Sequence, residues 1–182
     1  MSFKSFKETF DKINSSEIFQ NFTTKNSDAE LCAGFFILDF IGNDNKYSLD
    51  YKFGEKIYTF NLTENDKITI QEDKLMDLPI DSQNKYQQKL EKINFPIIDL
   101  NEVKTAAELK AIDNNIKSRF QKIIAVLQIY KGPETNDEKI QVWNLTCILD
   151  SLIILNMIVD SNNGKVLSLE KSSLADMFKR AD

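Results

Sequence analysis

Carboxylates are the only side chains with catalytic capacity that this sequence supplies in quantity. Two of them, Asp39 and Asp50, fall on strand-like segments that neighbouring strands could carry side by side. Two carboxylates sharing a site repel, one pKa rises, and a general acid and a general base result. Lys46 and Lys52 flank the pair, however, and with them it reads as a solubilising surface set. Asp150 is more unusual, because it interrupts the apolar run "IQVWNLTCILDSLIILNMIV", residues 140–159. A carboxylate there needs a partner, a cap or an exposed edge, and Arg119 is the candidate for a structural ion pair. The acids at 64, 66, 72 and 73 lack the glycine and the aligned acid series of an EF-hand loop.

What is missing narrows the chemistry further. The chain of 182 residues has no histidine, so the usual general base and the commonest transition-metal ligand are absent. Cys32 and Cys147 lie too far apart in sequence to form a structural zinc site by themselves, and the five glycines form no phosphate-cradling loop. The expectation is a protein that is not an enzyme and uses no cofactor or metal. A net charge of -5 argues against nucleic acid, whose phosphates call for clustered lysine and arginine. The 140–159 run carries Gln141, Asn144, Asp150 and Asn156, too polar for a transmembrane segment, and is expected to be a core helix. With no secretory leader after Met1, a reducing, cytoplasmic location with both thiols unbridged is expected, and the Asn-x-Ser/Thr matches at Asn21, Asn61 and Asn144 carry no weight.

The elements that would position these groups come from periodicity. Phe3, Phe6, Phe10 and Ile13 step by three and four, which predicts an amphipathic helix over residues 3–22. Strands are expected near 31–41, 46–53, 56–63 and 67–72, separated by the turn sequences "GNDN", "GE" and "TEND". A two-residue type II′ turn at Gly54–Glu55 fixes a register. Tyr51 then opposes Tyr58, Leu49 opposes Phe60 and Tyr47 opposes Leu62 on one face. Asp50 opposes Thr59 and Ser48 opposes Asn61 on the other. One dry face and one wet face describe an antiparallel sheet covered on one side. No internal repeat is visible.

Beyond the meander the pattern reads as helical. A helix is expected near 82–93, ended by Pro96. A second is expected from a capping box at 105–108, with Leu109, Ile112, Ile116, Phe120, Ile123, Leu127 and Tyr130 forming a packing seam. A third spans about 137–159, for which a late hairpin, "LIILNMIV" turning at "DSNNGK" into "VLSLE", is the alternative. A short helix over 171–180 closes the chain.

The stretches "GFFILDFIGNDNKYSLDYKFGEKIYTF" and "KITIQEDKLMDL", preceded by an amphipathic helix, resemble in pattern the sterol-carrier-protein-2 fold over residues 10–78. That resemblance implies an apolar lipid tunnel between sheet and helices. It ends at Leu78, where long helices replace the expected glycine- and lysine-containing strand pair, and no binding residue is carried over.

The expected architecture is therefore α+β in a single domain: an N-terminal helix, a four-stranded antiparallel meander, and a C-terminal layer of helices over its aromatic face. The leading function is a non-catalytic adaptor binding an unknown protein partner or a second copy of itself through Phe3, Phe6, Phe10 and Trp143. The alternative is a carrier in which Phe36, Phe40, Tyr51, Tyr58 and Phe60 line a cavity for an apolar small molecule or lipid.

Overall fold

The computed structural model of the chain describes residues 3–74 and 90–173. Among these, eight strands form one antiparallel sheet: β1 (Glu30–Asp39), β2 (Lys46–Phe53), β3 (Lys56–Leu62), β4 (Ile68–Lys74), β5 (Phe120–Tyr130), β6 (Ile140–Leu149), β7 (Ile153–Asp160) and β8 (Val166–Ser173). Their order is β4-β3-β2-β1-β5-β6-β7-β8. Three short helices accompany them, α1 (Phe6–Asn14), α2 (Glu17–Lys25) and α3 (Leu100–Asp113). The α+β expectation, with a helical layer built from the C-terminal half, is overturned: the protein is mostly sheet. In chain order two helices precede the first four-strand meander and α3 precedes the second, and the meanders join through β1 and β5 from Gly34↔Leu127 to Asp39↔Lys122.

The first meander forms as its alternation dictates. Gly54 takes φ +60 while Glu55 does not, as the first central position of a type II′ turn requires. The expected cross-strand pairs Tyr51↔Tyr58, Leu49↔Phe60, Tyr47↔Leu62, Asp50↔Thr59 and Ser48↔Asn61 are all present. The N-terminal helix is two helices. Ser15 ends the first and Ser16 caps the second, its hydroxyl accepting from the Phe19 amide at 3.2 Å.

The second meander replaces two expected helices. The seam over 109–130 is cut after α3 by Asp113, Asn114 and Asn115, the last with φ +59, and resumes as β5. In β5, Ile123, Ala125 and Leu127 are buried, while Ile124, Val126 and Gln128 face the other way half-buried. Apolar residues on both faces hide the two-residue period, and the remainder can be read as a helical stripe. The expected helix 137–159 is β6 and β7, folded at Asp150–Leu152 with Leu152 at φ +60. The alternative late hairpin is the one observed, as β7 and β8. The helix expected near 82–93 falls mostly outside the described residues, and 90–93 is irregular; the helix expected over 171–180 starts on β8 and lies otherwise outside them.

All three helices lie on one face of the sheet and bury a continuous core. Trp143 is fully buried between Phe6 of α1 and Phe36 of β1, with ring centroids 6.2 Å and 5.7 Å away. Its indole N–H donates to the Ile98 carbonyl at 2.8 Å. The two halves are also tied by one carboxylate. Asp99 caps α3 through the Leu100 amide at 2.6 Å and accepts from the Phe6 and Lys7 amides of α1 at 2.7 Å and 3.2 Å. A charged acceptor facing two helix N-termini satisfies donors that would otherwise lack partners and meets the positive ends of both dipoles.

Candidate functional site

The aromatic face of the first meander is filled rather than hollow. Phe19 and Phe22 of α2 pack into Tyr51, Tyr58 and Phe60 with centroids 4.8–5.2 Å apart for the four closest pairs, Phe19–Tyr51, Phe19–Phe60, Phe22–Tyr58 and Phe22–Phe60. Phe36 lies 6.0 Å from Phe6, and Phe40 packs edge-on against Phe3 at 5.2 Å. The five residues expected to wall a carrier cavity thus touch the protein's own rings. Phe3, Phe6 and Trp143, expected to anchor a partner, are buried, and Phe10 is half-buried beneath Phe95.

The acids separate too. Asp39 ends β1 and caps the following loop, accepting from the amides of Ile41, Gly42 and Asp44 at 3.0, 2.9 and 3.3 Å, with Lys122 at 3.4 Å. These donors, the Gly42 amide foremost, pull its pKa down to about 2. Asp50 lies at the opposite end of the β1–β2 ladder, beside Ala33. Burial pushes its pKa up, opposed by the Thr59 hydroxyl that donates to it at 2.6 Å. Two carboxylates at opposite ends of a ladder cannot share a proton or a substrate. Asp150 and Arg119 do meet, at 3.8 Å, with the Arg119 side chain 93% exposed, a surface pair between the start of β5 and the β6–β7 turn. Both cysteines are unbridged and buried, and burial lifts each thiol to about 12, which makes them inert packing groups.

What remains is the sheet face that no helix among the described residues covers. Over β5–β8 it holds a groove of about 600 Å³. Its floor is two adjacent cross-strand rows, Val126–Asn144–Ile158–Ser168 and Ile124–Thr146–Asn156–Glu170. Apolar and polar side chains alternate along the first row, the second is polar beyond Ile124, and the Thr146 hydroxyl donates to Asn156 Oδ1 at 3.2 Å. The wall is the loop after β5, whose 3-10 turn Pro133–Thr135 reaches over to β8. Tyr130 hydroxyl donates to Glu134 there, and a Cβ on Gly132 would collide with that tyrosine, so glycine is what lets the ring lie against the loop. The Thr135 hydroxyl holds the loop closed, donating to the Glu138 carbonyl at 2.7 Å.

The rows continue into the first meander. Phe35 opposes Val126 and Ile37 opposes Ile124, then Phe35 opposes Ser48 and Ser48 opposes Asn61. The centre of the open face is apolar and half-buried, and its margin beyond β1 is hydroxyl and amide. Sequence reasoning missed this surface because it placed β5–β7 in helices. The signal was present in "VWNLTC", where Asn144 and Thr146 alternate with Trp143, Leu145 and Cys147 at the spacing of a strand.

A mostly-β chain with one helix-covered and one open sheet face is the class that fold and groove define. No family model matches the sequence, and no curated protein matches it. In fold the chain is similar to the crystal structure of a candidate lipoprotein from Clostridium difficile 630, with a TM-score of 0.54 and 15% identity over 86% of this chain and 91% of that one. Identity that low carries the shared fold alone. The cytoplasmic expectation therefore drops out of the functional reading, since nothing in the fold assigns a compartment. No helix among the described residues is long and apolar enough to cross a membrane.

Proposed function

We propose that this chain is a non-catalytic interaction protein that binds a partner polypeptide on the open face of its sheet. The observation carrying this reading is the groove floor, where Ile124, Val126 and Ile158 stand half-exposed on a face that no helix among the described residues covers. A sheet face turned to water is normally polar, and on the same face of the first meander Ser48, Asp50 and Thr59 supply hydroxyl and carboxyl groups. Apolar residues gathered in a groove on such a face mark a surface that gains from being covered. The separation of Asp39 from Asp50 supports a binding role over a catalytic one. The carrier reading has no matching support, because the α1 and α2 phenylalanines already occupy the aromatic face.

The test is selection of peptides from a random display library on the wild-type protein, each enriched sequence then being titrated against two variants. Val126→Lys places a long charged chain in the groove floor and is expected to abolish binding. Ile18→Lys, on the exposed side of α2, is expected to leave it unchanged. Binding that survives Val126→Lys would put the surface elsewhere. A dimer that dissociates on Val126→Lys would name a second copy as the occupant.

A further inference from the structure

The groove's charge is one-sided. Glu134 and Glu170 line it, and among its described lining residues there is no lysine or arginine. Lys122, two residues before Ile124 on the same face of β5, is held by Asp39 at 3.4 Å and Asp44 at 3.9 Å. Asp160, at the open end of β7, adds a third carboxylate, occupied with capping its own turn through the Asn162 amide at 2.8 Å. A phosphate or carboxylate entering the groove would meet two negative charges and, among the described lining residues, no cation, so anionic ligands are disfavoured. The floor offers an aliphatic surface in its middle, from Ile124, Val126 and Ile158. The carboxylate of Glu170 closes one end of a row, and that of Glu134, fixed by Tyr130, stands in the loop wall.

Resting on the open face being the binding surface, we propose that the groove takes a basic segment of the partner polypeptide. A lysine or arginine lays its methylene stem along Ile124, Val126 and Ile158 and brings its charge to Glu170 and Glu134. The division suits these two side chains, which bury their stems on apolar surface and keep the charged head at a polar rim. Asn144, Thr146, Asn156 and Ser168 supply both donors and acceptors for the segment's backbone between those points. Arginine gains further from a planar fork that can take a carboxylate with two parallel hydrogen bonds.

The experiment compares the composition of peptides selected on the wild-type chain with those selected on Glu170→Lys, followed by fluorescence anisotropy of one selected peptide. Lysine and arginine are expected to exceed aspartate and glutamate in the wild-type pool, and the excess should reverse on Glu170→Lys. Glu170→Gln should weaken a selected basic peptide by about 2- to 5-fold, the range of an exposed ion pair, and raised salt should reproduce that loss. Glu170 is exposed, so neither change should move the thermal midpoint, which keeps a folding defect from imitating the result. Peptides that depend on Val126 but show no basic excess would overturn the basic-segment proposal and leave the open-face reading standing. Peptides indifferent to both Val126 and Glu170 would overturn the two together. A neutral oligosaccharide that binds the groove where no peptide does would replace the polypeptide with a sugar.

Discussion

The β2–β3 and β6–β7 turns do the same job in the two halves of the molecule with different residues. Each needs a residue with φ near +60, supplied by Gly54 in the first and by Leu152 in the second. Glycine reaches that region without steric cost, whereas a residue with a Cβ pays for it. The first turn is therefore cheap and visible in the sequence, while the second is strained and hidden. The same contrast runs through the strands. Apart from Ile57, β2 and β3 put hydroxyl, amide and charged groups on the open face, so their alternation is plain. β5 and β7 put isoleucine and valine there as well, because that part of the face forms the groove floor. The half proposed to bind is thus the half whose pattern is obscured.

The largest expected effect tests whether the halves are separate at all. Trp143→Ala should cost about 3–5 kcal/mol, the usual range for emptying a buried aromatic site. Because Trp143 touches Phe6 and Phe36 of the first half, protection of β2 and β6 amides from hydrogen exchange should fall together. Retained β2 protection beside lost β6 protection would make the meanders independent units.

Asp99 sharpens the same question from the polar side. Asp99→Ala leaves the Phe6, Lys7 and Leu100 amides without their carboxylate and should cost about 1–3 kcal/mol in urea denaturation. In the first half, the Ser5 hydroxyl caps α1 by accepting from the Glu8 amide at 3.0 Å, so Ser5→Ala should cost about 1 kcal/mol. Equal costs for the two would remove the view of Asp99 as a joint between halves.

The open-face acids are expected to respond to pH in opposite senses. Asp39 is held near 2, below its unfolded value of about 3.9, so its stabilisation is complete above about pH 4 and is lost as pH falls toward 2. Asp39→Asn should flatten the acid side of a stability profile. Asp50 is raised by burial, so its ionisation opposes folding, and that penalty is relieved as pH falls through its folded pKa. Asp50→Asn should therefore remove a gain at low pH rather than a loss. A profile unchanged by Asp39→Asn would mean that the Ile41–Asp44 loop does not depend on the carboxylate.

Legibility follows the same physics. The β2–β3 register could be written down from Gly54 and the alternation of Tyr47 to Leu62, because turn chemistry and periodicity agreed. The groove could not, because its apolar floor turned β5 and β7 into two-faced apolar strands and its turn carried no glycine or proline. The Arg119–Asp150 pair was legible as a pair although both residues were assigned to helices. Charge demands a partner whatever the secondary structure. The apolar run around Trp143 was legible for a similar reason, since a large aromatic beside such a run packs in helix or strand alike. The adaptor role given to Trp143, Phe3 and Phe6 was not, because periodicity marks a buried face without saying whether the cover is a partner or the chain itself.

The smallest effects bear directly on the two turns. Gly54→Ala forces a Cβ into the left-handed region and should cost about 1 kcal/mol, although nothing lies within 4 Å of the added atom. Leu152→Gly releases the same strain but adds freedom to the unfolded chain, so the net gain should be about 0.5–1 kcal/mol. Leu152 is 62% exposed, so little packing is lost in the exchange. Urea midpoints for the two variants should move in opposite directions with unchanged slopes. If Leu152→Gly instead destabilises, the leucine contributes an apolar contact worth more than the backbone strain. The β6–β7 turn would then be specified by its side chain, and the contrast with Gly54 would lie in packing rather than in conformation.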